Sequence, residues 1–398
     1  MSCVIAGGGP AGAMLALLLA RSGVEVTLLE KHGDFLRDFR GDTIHPSTLQ
    51  VLDELGLAGE FLRLPHRKAY DLYLATDRGD VRMATLRRLR GRYRYVAFVP
   101  QWDFLNLITS AAARYPGFRL LMNAEACGLI REGGAVRGLR YRDATGEHEI
   151  RAALTVAADG RHSVLRERAG LVPQDLGAPM DVVWFRLPRE PRDRDDTFLR
   201  LSPGHMMVAI NRESYWQLAY LVLKGGYDEM TRQGIDALRG PVAGLLPWLG
   251  DRIGQLGSYD DVSVLTVMIN RLRRWHRPGL LFIGDAAHAM SPVFGVGINL
   301  AVQDAVATAN LLAGPLRSGA PIPEAALHRV QRRRMPPARV TQAAQRVVQN
   351  LVISRALTRR LDPSGLPPDL TRIPLLNRVA PRFIGHGVRP EHVTVKEL

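Results

Sequence analysis

Apolar runs near the start of the chain have the lengths of a strand, a helix and a second strand. Ser2–Ala6 is a short apolar run, long enough for a buried strand and too short for a helix. Ala13–Arg21 is rich in alanine and leucine, which favour helix, and Gly23 marks its end. Val24–Leu29 is β-branched and apolar, which predicts another strand. The opening of the chain is therefore predicted to fold as strand, turn, helix and strand.

The same reading extends along the chain. Residues 118–150 alternate short strand-like runs with glycine turns, which predicts a β-meander. Residues 173–270 are strand-like and relatively rich in Trp, Tyr and Met, which predicts a sheet over a pocket. Further buried strands are predicted at Leu154–Ala158 and Leu280–Ile283, and further helices at His45–Leu57, Gln101–Tyr115, Gly297–Leu312 and Glu324–Val352, the last interrupted at Pro336–Pro337.

Composition is that of an ordinary globular chain. The 398 residues are 46% apolar and 23% charged, and no apolar run reaches the length of a membrane span. Met1 leads directly into the first strand, which leaves no room for a signal peptide, and Cys3 and Cys127 read as buried thiols. We therefore expect a cytoplasmic protein without a transmembrane segment. Its oligomeric state is not readable.

The formal net charge is +14, carried almost entirely by arginine. Such an excess can steer anionic ligands. It is not accompanied by a recognised nucleic-acid-binding module, so we expect no nucleic-acid partner.

A glycine-rich turn links the first strand to the first helix. Gly7–Gly12 has the G-x-G-x-x-G spacing, in which the glycines permit a tight turn, close approach of a diphosphate and close helix packing. The helix N-terminus then offers N–H groups and a positive dipole end to phosphate. Glu30 ends the second strand eighteen residues after Gly12, where a carboxylate can accept from a ribose 2′-hydroxyl. These features predict a dinucleotide site.

Two further strand ends carry a glycine beside an acid. Asp159–Arg166 has the pattern D-G-x-x-S-x-x-R, in which Ser163 is placed to cap the next helix and Arg166 to pair with Asp159 or reach phosphate. Gly284-Asp285 opens the third motif, which continues through Pro292 to Asn299. Asp285 offers a carboxylate to a polyol chain, and the glycines of 295–297 allow N–H groups to crowd a ring edge.

These three motifs, in this order, resemble the class A FAD-dependent aromatic monooxygenases, the family with the para-hydroxybenzoate hydroxylase fold. The resemblance extends over nearly the whole chain. It implies an α/β fold in which a Rossmann-like, three-layer FAD-binding domain is interleaved with a mixed or antiparallel β-sheet substrate domain, followed by C-terminal helices. We assign residues 1–172 with 271–355 to the first domain, including the meander, and 173–270 to the second. Residues 67–99 contribute partly to the second, and 356–398 form a tail.

The resemblance also assigns cofactor contacts position by position. The ADP half of a non-covalent FAD is expected at the first motif, the ribityl chain at Asp285 and the flavin ring along 292–299. Val296 departs from the glutamine that many members have, but supplies the same backbone. The expected contacts are Gly7, Gly9, Pro10, Ala11, Gly12, Glu30, Lys31, Arg40, Gln101, Ala126, Asp159, Gly160, Asp285, Pro292, Gly295, Val296, Gly297, Ile298 and Asn299.

The implied activity is hydroxylation or epoxidation of an aromatic or polyketide-like small molecule with NAD(P)H and O2, through a flavin hydroperoxide. NAD(P)H is a transient reductant in this family, so the choice between NADH and NADPH is open. A reductase or oxidase of the same fold, such as a prenyl-chain reductase, stays as the alternative. A halogenase is disfavoured because the W-x-W signature is absent from the sequence, and a non-catalytic flavoprotein is disfavoured by the intact motifs.

Residues of the predicted sheet are candidates for the substrate pocket, and no metal site is predicted. No general base is identifiable. His288 is expected to be part of its turn, and His45 to be solvated or to cap a helix. The candidate pocket residues are Trp184, Met206, Val208, Tyr220 and Phe294.

Overall fold

The computed structural model describes residues 2–36, 43–360 and 367–398. The first part of the chain alternates short strands with helices. Up to residue 172 the elements are β1 Ser2–Ala6, α1 Pro10–Arg21, β2 Glu25–Leu29, β3 Thr43–Ile44, α2 Pro46–Glu54, α3 Ala58–Arg63, β4 Arg67–Ala69, β5 Asp71–Thr76, β6 Gly79–Thr85, β7 Val96–Phe98, α4 Gln101–Ala112, β8 Phe118–Leu121, β9 Glu125–Glu132, β10 Ala135–Asp143, β11 Gly146–Arg151, β12 Leu154–Ala157 and α5 Val164–Arg168.

The remainder begins with strands and ends with helices. Its elements are β13 Gln174–Asp175, β14 Met180–Pro188, β15 Phe198–Ser202, β16 His205–Asn211, β17 Tyr215–Leu223, α6 Gly226–Arg232, α7 Asp236–Leu245, β18 Ser263–Leu265, β19 Asn270–Arg271, β20 His276–Arg277, β21 Leu280–Phe282, α8 Gly297–Arg317, α9 Glu324–Val348, α10 Ser354–Leu357 and α11 Pro374–His386. Short 3-10 segments occupy Pro247–Gln255, which is kinked at Gly250, Tyr259–Asp261, Gly284–Ala286, Val293–Gly295 and Leu370–Arg372, and a π-helical turn occupies Gln349–Ile353.

A largely parallel sheet organises the first domain. Its order is β20-β21-β12-β1-β2-β8, and β20 alone among these strands runs antiparallel to its neighbour. Alternate residues of β1 face opposite layers: Cys3 and Ile5 pack against helices α1, α4 and α8, whereas Val4 and Ala6 pack against the meander β9–β11. The expected three-layer α/β fold is therefore confirmed.

The second sheet is mixed and contains strands from two separate parts of the chain. Its order is β18-β14-β17-β16-β15-β5-β6. Among the described residues, its only parallel pair of strands is β15 and β5. Strands β5 and β6, from residues 71–85, therefore lie in the same sheet as strands from residues 180–265. One face of this sheet carries α6 and α7, and the other faces the segment 292–299.

Two helices differ from their sequence-based prediction. Helix α9 is continuous through Pro336 and Pro337, where an interruption was expected. Pro337 and the adjacent Ala338 are buried, so tertiary packing retains the helix despite the lost N–H donors. The segment His45–Leu57 contains a shorter α2, and α3 begins separately at Ala58.

One helical segment among the described residues has the length and composition to cross a membrane, Val293–Arg317. In its most apolar window, 83% of the residues are buried inside the protein. Helix α8, which makes up most of this segment, packs against α1 and α9. It therefore serves here as a core helix.

Candidate cofactor site

All the sequence motifs lie at one edge of the parallel sheet. Gly7 follows β1, Glu30 follows β2, Asp159 lies two residues beyond the end of β12, and Gly284 lies two residues beyond the end of β21. Because these strands are parallel, their carboxyl ends meet at the same edge, which is where ligands bind in doubly wound folds.

The glycine turn after β1 leaves no room for side chains at two of its positions. Gly7 has φ +102°, and a Cβ there would lie 2.3 Å from the carbonyl oxygen of Ala158. A Cβ on Gly12 would lie 2.0 Å from the carbonyl oxygen of Gly7. A Cβ on Gly9, by contrast, would meet no atom within 4 Å. The turn is thus tightly packed at Gly7 and Gly12 and open at Gly9, as binding of a diphosphate to its backbone requires.

Helix α1 begins directly at this cradle. Gly9 is its N-cap residue, Pro10 occupies the first turn, and that turn contains no acidic side chain. The first N–H groups of a helix have no partner within it, so those of Ala11 and Gly12 are available to phosphate.

Glu30 is buried and contacts the glycine turn. Its Oε2 accepts a hydrogen bond of 3.0 Å from the N–H of Gly8, and its Oε1 accepts one of 3.0 Å from the N–H of His32. The carboxylate is therefore fixed beside the cradle, while the neighbouring Lys31 is exposed.

Asp159 organises its own turn. Its carboxylate accepts hydrogen bonds from the Ser163 hydroxyl at 2.5 Å and from the N–H of Leu165 at 3.0 Å. Burial raises the pKa of this carboxyl, against the opposing effect of these donors. Ser163 caps α5 by accepting from the N–H of Arg166, as predicted. A Cβ on Gly160 would meet no atom within 4 Å.

Arg166 joins the second motif to the third. Its Nη1 donates 3.0 Å to the carbonyl of Ala286, and its Nη2 donates 2.7 Å to the carbonyl of Arg161. It therefore binds carbonyl oxygens, where the sequence suggested a pair with Asp159 or a phosphate contact. Arg161 in turn lies 3.6 Å from the partly exposed carboxylate of Asp285.

The segment from Pro292 to Asn299 forms a strained turn before α8. Phe294 and Gly295 have φ values of +68° and +62°, and such strain in a non-glycine residue is a feature of functional sites. A Cβ on Gly297, the first residue of α8, would meet no atom within 4 Å. Val296 and Ile298 are buried.

Residues 43–48 hold this segment in place. The Thr43 hydroxyl donates 2.7 Å to the carbonyl of Gly295. The Asn299 side-chain oxygen accepts from the N–H of His45 at 2.9 Å and from the Thr48 hydroxyl at 2.7 Å. His45 is buried and hydrogen-bonds the carbonyl of Ile384 through Nδ1, so it is not solvated. It does stand at the N-cap position of α2, the other alternative expected, although its side chain makes no capping hydrogen bond.

The remaining predicted cofactor contacts are spread around this edge. Gln101 is half-buried at the first position of α4, and its side chain has no hydrogen bond to the described residues. Ala126 is half-buried on β9, opposite Tyr141. Arg40 lies outside the described residues.

Four of the five candidate pocket residues share one environment. Trp184 and Val208 both lie opposite Ala219, hence on one face of the second sheet, and both pack near Phe294. Met206 lies on the same face. Tyr220 does not share this environment: it points to the opposite face, against α6 and α7, because side chains alternate along a strand. Its hydroxyl hydrogen-bonds His205 Nδ1 at 2.7 Å, and burial raises its pKa to about 12.

Sequence reasoning missed a buried charge cluster behind the third motif. Asp304 of α8 accepts hydrogen bonds from His288 and Arg334. The available signal was Asp304 itself, the only charged residue within 300–313, because a charge in a buried helix needs a partner. No group of three or more His, Cys, Asp or Glu among the described residues could hold a metal ion.

The residues present fit FAD. A Cβ would meet no atom within 4 Å at Gly9, Gly160 or Gly297. Gly9 lies in the segment assigned to the diphosphate, Gly160 in the one assigned to the region near both FAD and NAD(P)H, and Gly297 in the one assigned to the flavin ring. The groups present are a helix N-terminus without acids, the half-buried Gln101 and carboxylates beside glycine turns. They suit phosphate, ribose and ribityl hydroxyls.

Comparison with known proteins gives the same answer. Residues 1–345 match the family described as FAD binding domain. The chain is 36% identical over 320 residues to 6-methylpretetramide 4-monooxygenase of Streptomyces rimosus, covering 79% of this chain and 75% of that protein. It is 27% identical over 334 residues to rifampicin monooxygenase of Streptomyces venezuelae, covering 76% of this chain but only 62% of that longer protein.

A solved structure supports the fold. The anhydrotetracycline hydroxylase OxyS of Streptomyces rimosus superposes with a TM-score of 0.76 at 23% identity, covering 96% of this chain and 75% of that chain. From the family match, the relatives and the shared fold, the chain belongs to the FAD binding domain family and is an FAD-dependent monooxygenase.

Proposed function

We propose that this monooxygenase uses NAD(P)H and O2 to hydroxylate or epoxidise an aromatic or polyketide-like small molecule. The observation that carries the proposal is the apolar face of the second sheet, where Trp184 and Val208 pack towards Phe294 of the segment assigned to the flavin ring. The similarity to enzymes whose names specify 6-methylpretetramide and rifampicin as substrates supports a polycyclic or polyketide-like substrate.

For hydroxylation the balanced reaction is R–H + O2 + NAD(P)H + H⁺ → R–OH + NAD(P)⁺ + H2O. One oxygen atom enters the substrate, and the other leaves as water with the two electrons of the nicotinamide. Bound FAD supplies the chemistry of accepting hydride and activating O2.

The chain's own contribution is binding, orientation and exclusion of water. Glu30 would hold the ribose of the ADP half, and Asp285 the ribityl hydroxyls. The N-terminus of α8, beginning at Gly297, would place N–H groups and a positive dipole end beside the ring, where they stabilise negative charge. The apolar sheet face with Trp184 and Val208 would keep water from the reacting atoms.

The test is anaerobic stopped-flow reduction of the FAD-loaded protein by NADPH and by NADH, with and without a panel of phenols and polycyclic aromatic polyketides. We expect one substrate class to accelerate flavin bleaching many-fold, and ¹⁸O from ¹⁸O2 to enter the product after mixing with oxygen. Fast bleaching without substrate and without ¹⁸O incorporation would favour a reductase or oxidase. Failure of the purified chain to bind added FAD would overturn the proposal altogether.

A further inference from the structure

A chain of buried charged residues runs from the C-terminal segment to the turn that carries Asp285. Asp304 on α8 is fully buried, Arg334 on α9 is 1% exposed and Glu391 is 7% exposed. Asp304 Oδ1 accepts 3.0 Å from Arg334 Nε, and Arg334 Nη1 donates 3.3 Å to Glu391 Oε1. Each charge in this interior therefore has a partner of opposite sign.

The other oxygen of Asp304 binds the turn itself. Its Oδ2 accepts a hydrogen bond of 3.1 Å from the N–H of Gly284 and one of 2.6 Å from Nε2 of His288. These two residues flank the segment 285–287, which begins with Asp285. The geometry requires the His288 proton on Nε2, and the ring packs on Trp275 with centroids 4.8 Å apart. Burial opposes ionisation of Asp304, but His288 and Arg334 outweigh it and lower its pKa.

Asp304 also lies on the helix whose first turn is assigned to the flavin ring. Gly297 and Asp304 are separated by seven residues, or about two turns of α8. The carboxylate thus fixes the third motif's turn against α8. The distance between Asp285, assigned to the ribityl chain, and the start of α8, assigned to the flavin ring, is thereby held constant.

We propose that His288, Asp304, Arg334 and Glu391 are positioning residues for FAD, and that the C-terminal segment is thereby part of the cofactor site. This inference rests on the proposed role of Asp285 and the α8 N-terminus in FAD binding. None of the four needs to touch the cofactor: they hold the turn at the geometry that binds it, as supporting residues do around other ligand sites.

The test compares matched variants by titrating their apoproteins with FAD. His288→Leu removes the donor to Asp304, whereas His288→Gln retains an N–H near the Nε2 position. Glu391→Gln removes the charge next to Arg334, whereas Glu397→Gln removes a carboxylate of the same segment that is 53% exposed and pairs with Arg21. We expect the FAD dissociation constant to rise about tenfold in His288→Leu and several-fold in Glu391→Gln, and less than twofold in His288→Gln and Glu397→Gln.

The thermal midpoint of each apoprotein separates positioning from general stability. A purely structural role predicts that the apoprotein unfolds at a lower temperature while its FAD dissociation constant, measured well below that temperature, is unchanged. This result would overturn the inference. If His288→Leu fails to fold, the Glu391→Gln and Glu397→Gln pair decides in the same way. Wild-type protein that binds no FAD would instead refute the proposed function.

Discussion

The hydroxyl of Thr43 and the carbonyl of Gly295 lie 2.7 Å apart and join residues separated by 252 positions in the chain. The contact fixes the turn in which Phe294 and Gly295 adopt positive φ. A Cβ on Gly295 would lie 2.5 Å from the same hydroxyl oxygen, so the Thr43 side chain packs on the Gly295 backbone as closely as glycine permits. The segment assigned to the flavin ring is therefore held from the side by β3.

Thr43→Val should loosen this turn, because valine keeps the shape and loses the donor. We expect a larger share of NAD(P)H oxidation to end in hydrogen peroxide, measured as peroxide formed per NAD(P)H consumed with substrate present. Thr76→Val is the matched control, since Thr76 makes the equivalent 2.8 Å bond to Gly79 in an exposed hairpin. Equal peroxide yields in the two variants would contradict the assignment.

Alanine at Gly9 and at Gly12 should have different effects. Gly9 has φ −71° and open space at its Cβ, so Gly9→Ala should leave the apoprotein's thermal midpoint unchanged but weaken FAD binding at least tenfold. Gly12→Ala would place a Cβ 2.0 Å from a carbonyl oxygen and should destabilise the apoprotein by about 1–3 kcal/mol. Calorimetry of the apoproteins and FAD titration measure both. Unchanged FAD affinity in Gly9→Ala would show that the diphosphate does not bind at this turn.

Burial of His45 should make stability fall in mild acid. Burial lowers the pKa of His45 to about 4, whereas an unfolded histidine titrates near 6.5. The unfolded chain therefore binds the proton first, and this contribution is complete above about pH 6.5 and is lost as pH falls towards 4. Between pH 7 and pH 5 the free energy of unfolding should fall by about 2 kcal/mol, because each pKa unit corresponds to about 1.36 kcal/mol.

His45→Asn removes this titration and keeps a donor near Nδ1 for the carbonyl of Ile384. Urea unfolding at pH 7 and pH 5 should show a smaller loss of stability in the variant than in the wild type. His205, His276 and His386 also have pKa values lowered by burial, but they are common to both proteins and cancel. Identical losses would show that His45 is not the group responsible.

Opposite faces of the second sheet should differ in their effect on catalysis. Trp184→Ala removes an aromatic wall on the face towards Phe294, and we expect KM for the substrate to rise several-fold with more peroxide formed. Tyr220→Phe removes a hydroxyl on the other face, where it contacts His205, and should leave both quantities within twofold. Steady-state kinetics with the substrate found by stopped flow measure both. A larger effect from Tyr220→Phe would reverse the assignment of the faces.

Local sequence predicted what depends on neighbouring residues. The first strand, glycine turn and helix followed from residue type and spacing, and so did the cap that Ser163 forms on α5. The partner of each charge did not. Asp304 and Arg334 lie thirty residues apart on two helices, and only the packing of α8 against α9 brings them to 3.0 Å. Likewise the face of the sheet on which Tyr220 lies could not be predicted from its residue type, because that face depends on strand register.

Burial also explains the local errors. His45 precedes Pro46 at a helix start, a position that is usually solvated, but α11 covers it and accepts its hydrogen bond through Ile384. Helix α9 continues through two prolines because residues on either side of them, including Arg334 and Thr341, are fixed in the interior. Neither effect is visible before the elements are packed.

The order of strands in the parallel sheet has a consequence for synthesis of the protein. β1 is made before its partner β12, which is made before its partner β21, and Glu391, which pairs with the buried Arg334, follows later still. The nascent chain therefore carries β1 and α1 without their full set of neighbours until β12, β21 and α8 have left the ribosome. Capture of FAD is accordingly expected to be among the last events of folding, and the isolated N-terminal segment is expected to aggregate when translation stops early.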